Sequence, residues 1–237
     1  MIGTWKAPLE GGGTAEELLV SFDRARQVRL LVLPAWFDEA NKLRRFTVAV
    51  MRLLDEAGID SFLPDLPGCN ESLVPLAQQT LTGWRAGAAA AAQAFAATHV
   101  LSIRAGALIT PAALPGWRYA AQGGPKQLRG MIRARALAAR EEGREESSAK
   151  LMETGLREGL VLAGWPLGAA FFGEFAETEP APSPVQQAIA QSVLGGAGLW
   201  LRAEPDHDEA QAEALARIIV GEIGETPNEG QSPQVPA

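Results

Sequence analysis

The chain has 237 residues, of which 47% are hydrophobic and 21% charged, with a formal charge of −7 at neutral pH. That balance suits a globular protein with a substantial core, and one domain over residues 1–224 is the natural expectation. An acidic chain lacks the basic face that nucleic-acid phosphates need and the polybasic patch that anchors a protein to anionic lipid.

Taken in chain order, Gly3 to Lys6 and Glu17 to Phe22 read as antiparallel edge strands. Val28 to Leu33 is a short apolar run ending at Pro34, as a buried parallel strand reads. Leu43, Phe46, Val50, Leu53 and Leu54 recur at helical spacing between Asn41 and Ala57, with Gly58 as C-cap. A strand at Asp60 to Leu63 leads into the loop Pro64 to Ser72. An alanine-rich helix is predicted from Leu76 to Ala97. His99 to Ile103 reads as a central strand, and Arg104 to Leu108 as a turn into a helix. Trp117 to Ala120 reads as a strand, Lys126 to Arg140 as a basic helix, and Arg140 to Lys150 as a charged connection. Leu160 to Ala163 and Leu199 to Arg202 are predicted as late strands, and Glu209 to Ile223 as an amphipathic helix. Beyond 224, the Pro-, Gly- and Gln-containing tail is expected to be disordered. Strands alternating with helices imply an α/β fold, a mostly parallel sheet with helices on both faces.

Cys69 is the single cysteine, so an intrachain disulfide is excluded and a reducing compartment is the simplest context. The N-terminus lacks the basic start and apolar core of a signal peptide. No apolar run approaches the roughly 20 residues of a spanning helix. A cytoplasmic location without a transmembrane segment is expected.

In an open α/β sheet, ligands sit beyond the carboxyl ends of the strands, where three loops of this sequence fall. The first, Pro34 to Arg45, carries Trp36 and Phe37 and then Asp38, Glu39, Asn41, Lys42, Arg44 and Arg45. It reads either as a solvated helix start with acidic residues at the positive end of the dipole or as a binding loop. The second, Pro64 to Ser72, is a tight turn in which Asp65 can hydrogen-bond nearby amides; Cys69 has no visible base that would make it a nucleophile.

The third loop is Leu101-Ser102-Ile103-Arg104-Ala105-Gly106-Ala107. A nucleophile elbow reads Gly-x-Ser-x-Gly because its strained strand-to-helix turn admits only small neighbours. Ser102, Ala105, Gly106 and Ala107 keep that smallness, but Arg104 stands at the centre. An arginine stays protonated, so it cannot attack a carbonyl. It can hold a carboxylate or phosphate, or be tied up in an internal ion pair with Asp38 or Glu39.

Of the two histidines, His99 starts its strand far from the carboxyl edge and reads as structural or exposed. His207 lies roughly where a triad histidine would follow the last strand, though its acidic neighbours also suit a helix-capping turn. Two histidines and one cysteine make no zinc cluster, and no metal or cofactor is expected.

Pro34-Ala35-Trp36-Phe37-Asp38-Glu39-Ala40-Asn41-Lys42-Leu43-Arg44-Arg45 resembles a Pro-Pro-Phe-x-Glu-Glu-x-Asn-Lys-x-Arg-Arg segment of the exosortase A system-associated hydrolases. Weaker matches run through Pro64 to Ser72, the elbow around Arg104, Gly124-Pro125-Lys126-Gln127-Leu128 with Arg133-Ala134-Arg135, and Leu162 to Leu167. Together they span residues 28 to 205. The resemblance implies the α/β-hydrolase fold, an arginine-centred elbow shared by the family, and a role beside exosortase, a membrane enzyme that sorts proteins in bacteria exporting polysaccharide. The chain departs from the family pattern at Ala35, Trp36, Cys69-Asn70 and Gly124.

Three readings stay open. In the first, a hydrolase-fold protein without serine-triad catalysis binds an anionic small molecule or a partner from that system through Arg104, Asn41, Lys42 and Arg45, with Trp36 as an apolar wall. In the second, an esterase- or thioesterase-like hydrolase uses a water activated by Asp38, Glu39 or His207. In the third, the chain is a structural interaction protein with no small-molecule site.

Overall fold

The computed structural model describes residues 1–225. The chain opens with two antiparallel strands, β1 (Ile2–Pro8) and β2 (Thr14–Phe22), and β3 (Arg29–Leu33) follows. Helix α1 (Asp38–Glu56) ends beside Gly58, whose φ of 87° is open to glycine, and leads into β4 (Asp60–Pro64). Next come α2 (Leu81–Ala94), β5 (His99–Ile103), β6 (Gly116–Tyr119), α3 (Gly124–Glu141) and α4 (Ser148–Glu158). A hairpin of β7 (Leu160–Leu162) and β8 (Trp165–Leu167) precedes α5 (Ala169–Glu177). The described chain closes with β9 (Gln186–Ile189), a single turn α6 (Gln191–Leu194) and α7 (Glu209–Glu225).

Seven strands form one sheet in the order β1-β2-β4-β3-β5-β6-β9. The first two join antiparallel, and β4, β3, β5, β6 and β9 run parallel. Side chains alternate along a strand, so β3 feeds both faces at once. Leu31 and Leu33 enter a core with Trp84 of α2, Leu128 of α3 and Phe171 of α5. Leu30 and Val32 enter a second core with Phe46 and Val50 of α1 and Leu215 and Ile219 of α7. Burial on both faces is what keeps Leu30 to Leu33 free of polar residues, while Arg29 at the strand's start pairs with Asp23 and Asp60.

Four sequence expectations change. The alanine-rich helix is shorter than predicted: Leu76–Gln78 is a separate 3₁₀ turn, Thr80 caps α2 by accepting from the Gly83 amide at 2.8 Å, and the helix stops at Ala94. No α-helix follows the elbow; Arg104–Leu108 is a 3₁₀ turn, cut off before Pro111, which has no amide to continue it. Leu160–Leu162 pairs only with β8, in a hairpin outside the main sheet. Leu199–Leu201 is a 3₁₀ turn, not a strand. The last strand of the sheet is instead β9, whose short polar sequence Gln186-Gln187-Ala188-Ile189 lacks an apolar signature. Helix α4, capped by Ser147, was also hidden in a charged stretch. The expected tail, 225–237, starts on Glu225, which is instead the last residue of α7; 226–237 lie outside the described residues.

Candidate functional site

The carboxyl ends of β3, β4 and β5 bring the three loops together. Arg104 has a φ of 53°, the left-handed backbone that an elbow imposes and that costs a non-glycine residue about 1–3 kcal/mol. Gly106 shows why the turn is held so tightly. A Cβ there would lie 2.4 Å from the Leu33 carbonyl oxygen and 2.7 Å from that of Pro34. The elbow therefore presses backbone to backbone on the loop after β3, and only glycine fits.

The arginine at the centre of this elbow is closed in. Its Nη2 and Nε donate to Oε1 and Oε2 of Glu39 at 2.9 and 3.0 Å, and Nη1 donates to the Ala120 carbonyl at 2.9 Å. The ring of Trp200 lies under the guanidinium, 4.0 Å from its centre. Arg104 is 7% exposed. Of the two internal partners open from sequence, the structure selects Glu39, because Asp38 turns outward to Lys42 Nζ at 2.7 Å. Glu39 holds the site because α1 begins at Asp38, which sets the next residue on the helix's first turn, facing the elbow. A forked carboxylate–guanidinium pair of this kind is fixed in both distance and plane.

The remaining site candidates separate. Trp36 and Asn41 line a cavity of about 220 Å³ between the β3–α1 and β4–α2 connections, whereas Arg104, Lys42 and Arg45 do not. Arg45 is exposed. His207 is half-buried with its Nδ1 lacking any hydrogen-bond partner, and its own amide donates to Asp206 Oδ1 at 2.7 Å. Among the described residues no carboxylate orients its ring, as a triad histidine requires. His99 stacks on Trp117 at the amino end of β5, with ring centroids 5.8 Å apart. No group of three metal-ligating side chains occurs among the described residues.

The cavity is apolar in its body. Leu33, Leu63, Leu66, Trp36, Trp84 and Trp165 form much of its wall, and Trp36 packs edge-on against Trp84 with centroids 4.9 Å apart. Its polar end is acidic. Asp65 is 2% exposed; Arg44 Nη1 stands 3.4 Å from its Oδ1, and its Oδ2 has no partner. The sequence reading of Asp65 as a turn residue bonded to local amides is thus corrected, because its carboxylate is held by the Arg44 and Asn70 side chains. Behind it Glu17, also 2% exposed, accepts from Ser72 Oγ at 2.7 Å and leaves Oε2 unpartnered. Burial pushes both carboxyls above the usual range. Arg44 and Asn70 pull Asp65 back down, and Ser72 does the same for Glu17, while Asp65 raises Glu17 further. Desolvation beside these carboxylates pushes the half-buried Cys69 thiol up, which disfavours the reactive thiolate. Glu17 escaped sequence reading because it lies on a strand far from the loops in sequence; only the β2–β4 pairing brings it here.

No family model and no curated sequence relative matches the chain. Solved structures do resemble it. Mouse alpha/beta hydrolase domain-containing protein 10 superposes with a TM-score of 0.56 at 14% identity, over 95% of this chain and 100% of that one. A thermophilic esterase from Thermogutta terrifontis, solved with malate bound, gives 0.55 at 15% identity over 94% and 98%. Est1E from Butyrivibrio proteoclasticus, solved with ferulic acid bound, gives 0.57 at 13% identity over 93% and 100%. The chain has the α/β-hydrolase fold. At these identities the likeness concerns the fold alone, and function has to be argued from the site. No helix among the described residues is long and apolar enough to cross a membrane.

Proposed function

We propose that this protein is a small-molecule-binding member of the α/β-hydrolase fold without serine-triad catalysis, and that its ligand occupies the cavity beside Trp36, Asn41 and Asp65. The observation that carries the proposal is the closed pair of Arg104 with Glu39 at the elbow. The position that would present a nucleophile presents a buried cation instead, and the nearest carboxylate, which would otherwise be free to activate a water there, is already spent on it. Resemblance in the Pro34–Arg45 segment supports a place beside an exosortase and polysaccharide-export system, with a protein of that system as a further binding partner.

The ligand's chemistry follows from the wall. An anionic ligand would rest on Arg104, Lys42 and Arg45, but Glu39 and Asp38 neutralise the first two and none of the three lines the cavity. Asp65 and Glu71 outnumber Arg44 along the lining. The ligand that fits is a largely apolar molecule with a hydrogen-bond donor at its polar end, where Asp65, Asn70 and Glu71 line the cavity.

Two measurements test this. With a panel of short acyl esters, the wild type is expected to give only background hydrolysis; turnover abolished by His207→Ala would overturn the non-catalytic half. Native mass spectrometry should detect a co-purifying small molecule that Leu66→Trp, which fills the cavity, displaces. Unchanged ligand occupancy in that folded variant would overturn the placement.

A further inference from the structure

Arg118 stands on β6 between Trp117 and Tyr119, both buried in the α1–α7 core. By the two-residue period of the strand it turns to the opposite face, where it is only 8% exposed. Its orientation is built rather than incidental. Gln186 Nε2 donates to the carbonyls of Pro111 and Leu114, both at 2.8 Å, which leaves Gln186 Oε1 to accept from Arg118 Nε at 2.7 Å. Nη1 donates to the Ala181 carbonyl, and among the described residues Nη2 has no hydrogen-bond partner. Every group that holds Arg118 is therefore neutral. Among the described residues no carboxylate pairs with it, in contrast to Arg104, Arg26 and Arg29.

A guanidinium cannot shed its proton, so a buried one without a countercharge keeps its desolvation cost. Burial acts on Arg118 in the expected direction, pulling its pKa down. The side chain lines a cavity of about 280 Å³ together with Arg85, Thr110, Glu179 and Ser183. Arg85 spends only its Nε, on the Leu108 carbonyl at 3.0 Å, which leaves both Nη groups to donate. Ser183 Oγ accepts from the Val185 amide at 3.3 Å, so its hydroxyl proton is also available. Glu179 opposes an anion, but two guanidinia against one carboxylate leave the lining net positive.

We propose that this second cavity binds a small oxyanion, a phosphate or carboxylate group held between Arg118 and Arg85 with the Ser183 hydroxyl as a third donor. It shares no lining residue with the Asp65 cavity, so the two sites stand or fall separately. The charge logic is the one guanidinia use generally for carboxylates and phosphates: charge-assisted hydrogen bonds from fixed donors.

Calorimetric titration of the full chain with inorganic phosphate, and in parallel with succinate, against chloride at matched ionic strength tests the proposal and tells phosphate from carboxylate. Saturable binding is expected for at least one of the two. Arg85→Gln, at an exposed helix position, should weaken it about tenfold or more, and Glu179→Gln should strengthen it. Arg118→Gln should abolish it; if that variant does not fold, the other two decide. Heats indistinguishable from chloride for both anions, or an affinity that neither Arg85→Gln nor Glu179→Gln changes, would overturn the proposal.

Discussion

Glu39 grips Arg104 through both carboxylate oxygens, at 2.9 and 3.0 Å, from the first turn of α1 to the elbow after β5. Removing one partner of a buried pair strands the other, whereas removing both leaves only the packing to repair. Arg104→Leu and Glu39→Leu alone should each destabilise the fold by about 3–5 kcal/mol in urea unfolding. The double variant should lose far less than the sum. Additive losses would show that the two side chains act independently.

Gly106 gives a steric prediction at the same elbow. A methyl group there meets the Leu33 carbonyl oxygen at 2.4 Å, and backbone cannot swing away as a side chain can. Gly106→Ala should cost about 1–3 kcal/mol from overpacking, read as a lowered urea midpoint with an unchanged m value. A midpoint equal to wild type would mean that the β3 loop yields easily.

Glu17 makes stability depend on pH in an unusual sense. Its folded carboxyl is raised above the ordinary 4.5, so the native state binds more protons than the unfolded one as pH climbs through that window. Stability from this group therefore falls as pH rises from its unfolded value through its raised folded value, and stays lower above it. Glu17→Gln keeps an acceptor for Ser72 and removes the buried charge. The variant should gain about 1–3 kcal/mol over wild type near neutral pH and much less near pH 4. An equal difference at both pH values would contradict the assignment.

Cys69 should be inert despite lining the cavity. Burial near Asp65 and Glu17 suppresses its thiolate, the reacting species. At pH 8, iodoacetamide should label the native protein more than about tenfold slower than the urea-unfolded chain. Equal rates would place the thiol in an ordinary aqueous setting.

Much of the architecture was written locally. Val28 to Leu33 and His99 to Ile103 announced themselves as central strands because burial on both faces leaves an unbroken apolar run, and α1 because its apolar residues recur along one side. Elements whose stability comes from neighbours left no such trace. Gln186 to Ile189 is a strand because β6 offers it a parallel edge, and Leu199 to Leu201, apolar enough for a strand, turns instead and brings Trp200 under Arg104.

Sequence alone determined that position 104 carries a permanent cation at an elbow whose neighbours must be small. It could not decide whether that cation was free or paired, since Asp38 and Glu39 are adjacent in the chain and chemically alike. The start of α1 decided it, turning Glu39 inward and Asp38 out to Lys42. The same dependence on three dimensions holds for Asp65 with Glu17 and for Arg118 with Arg85. Each pair is far apart along the chain, and only strand pairing and helix packing bring its members to one place in the fold.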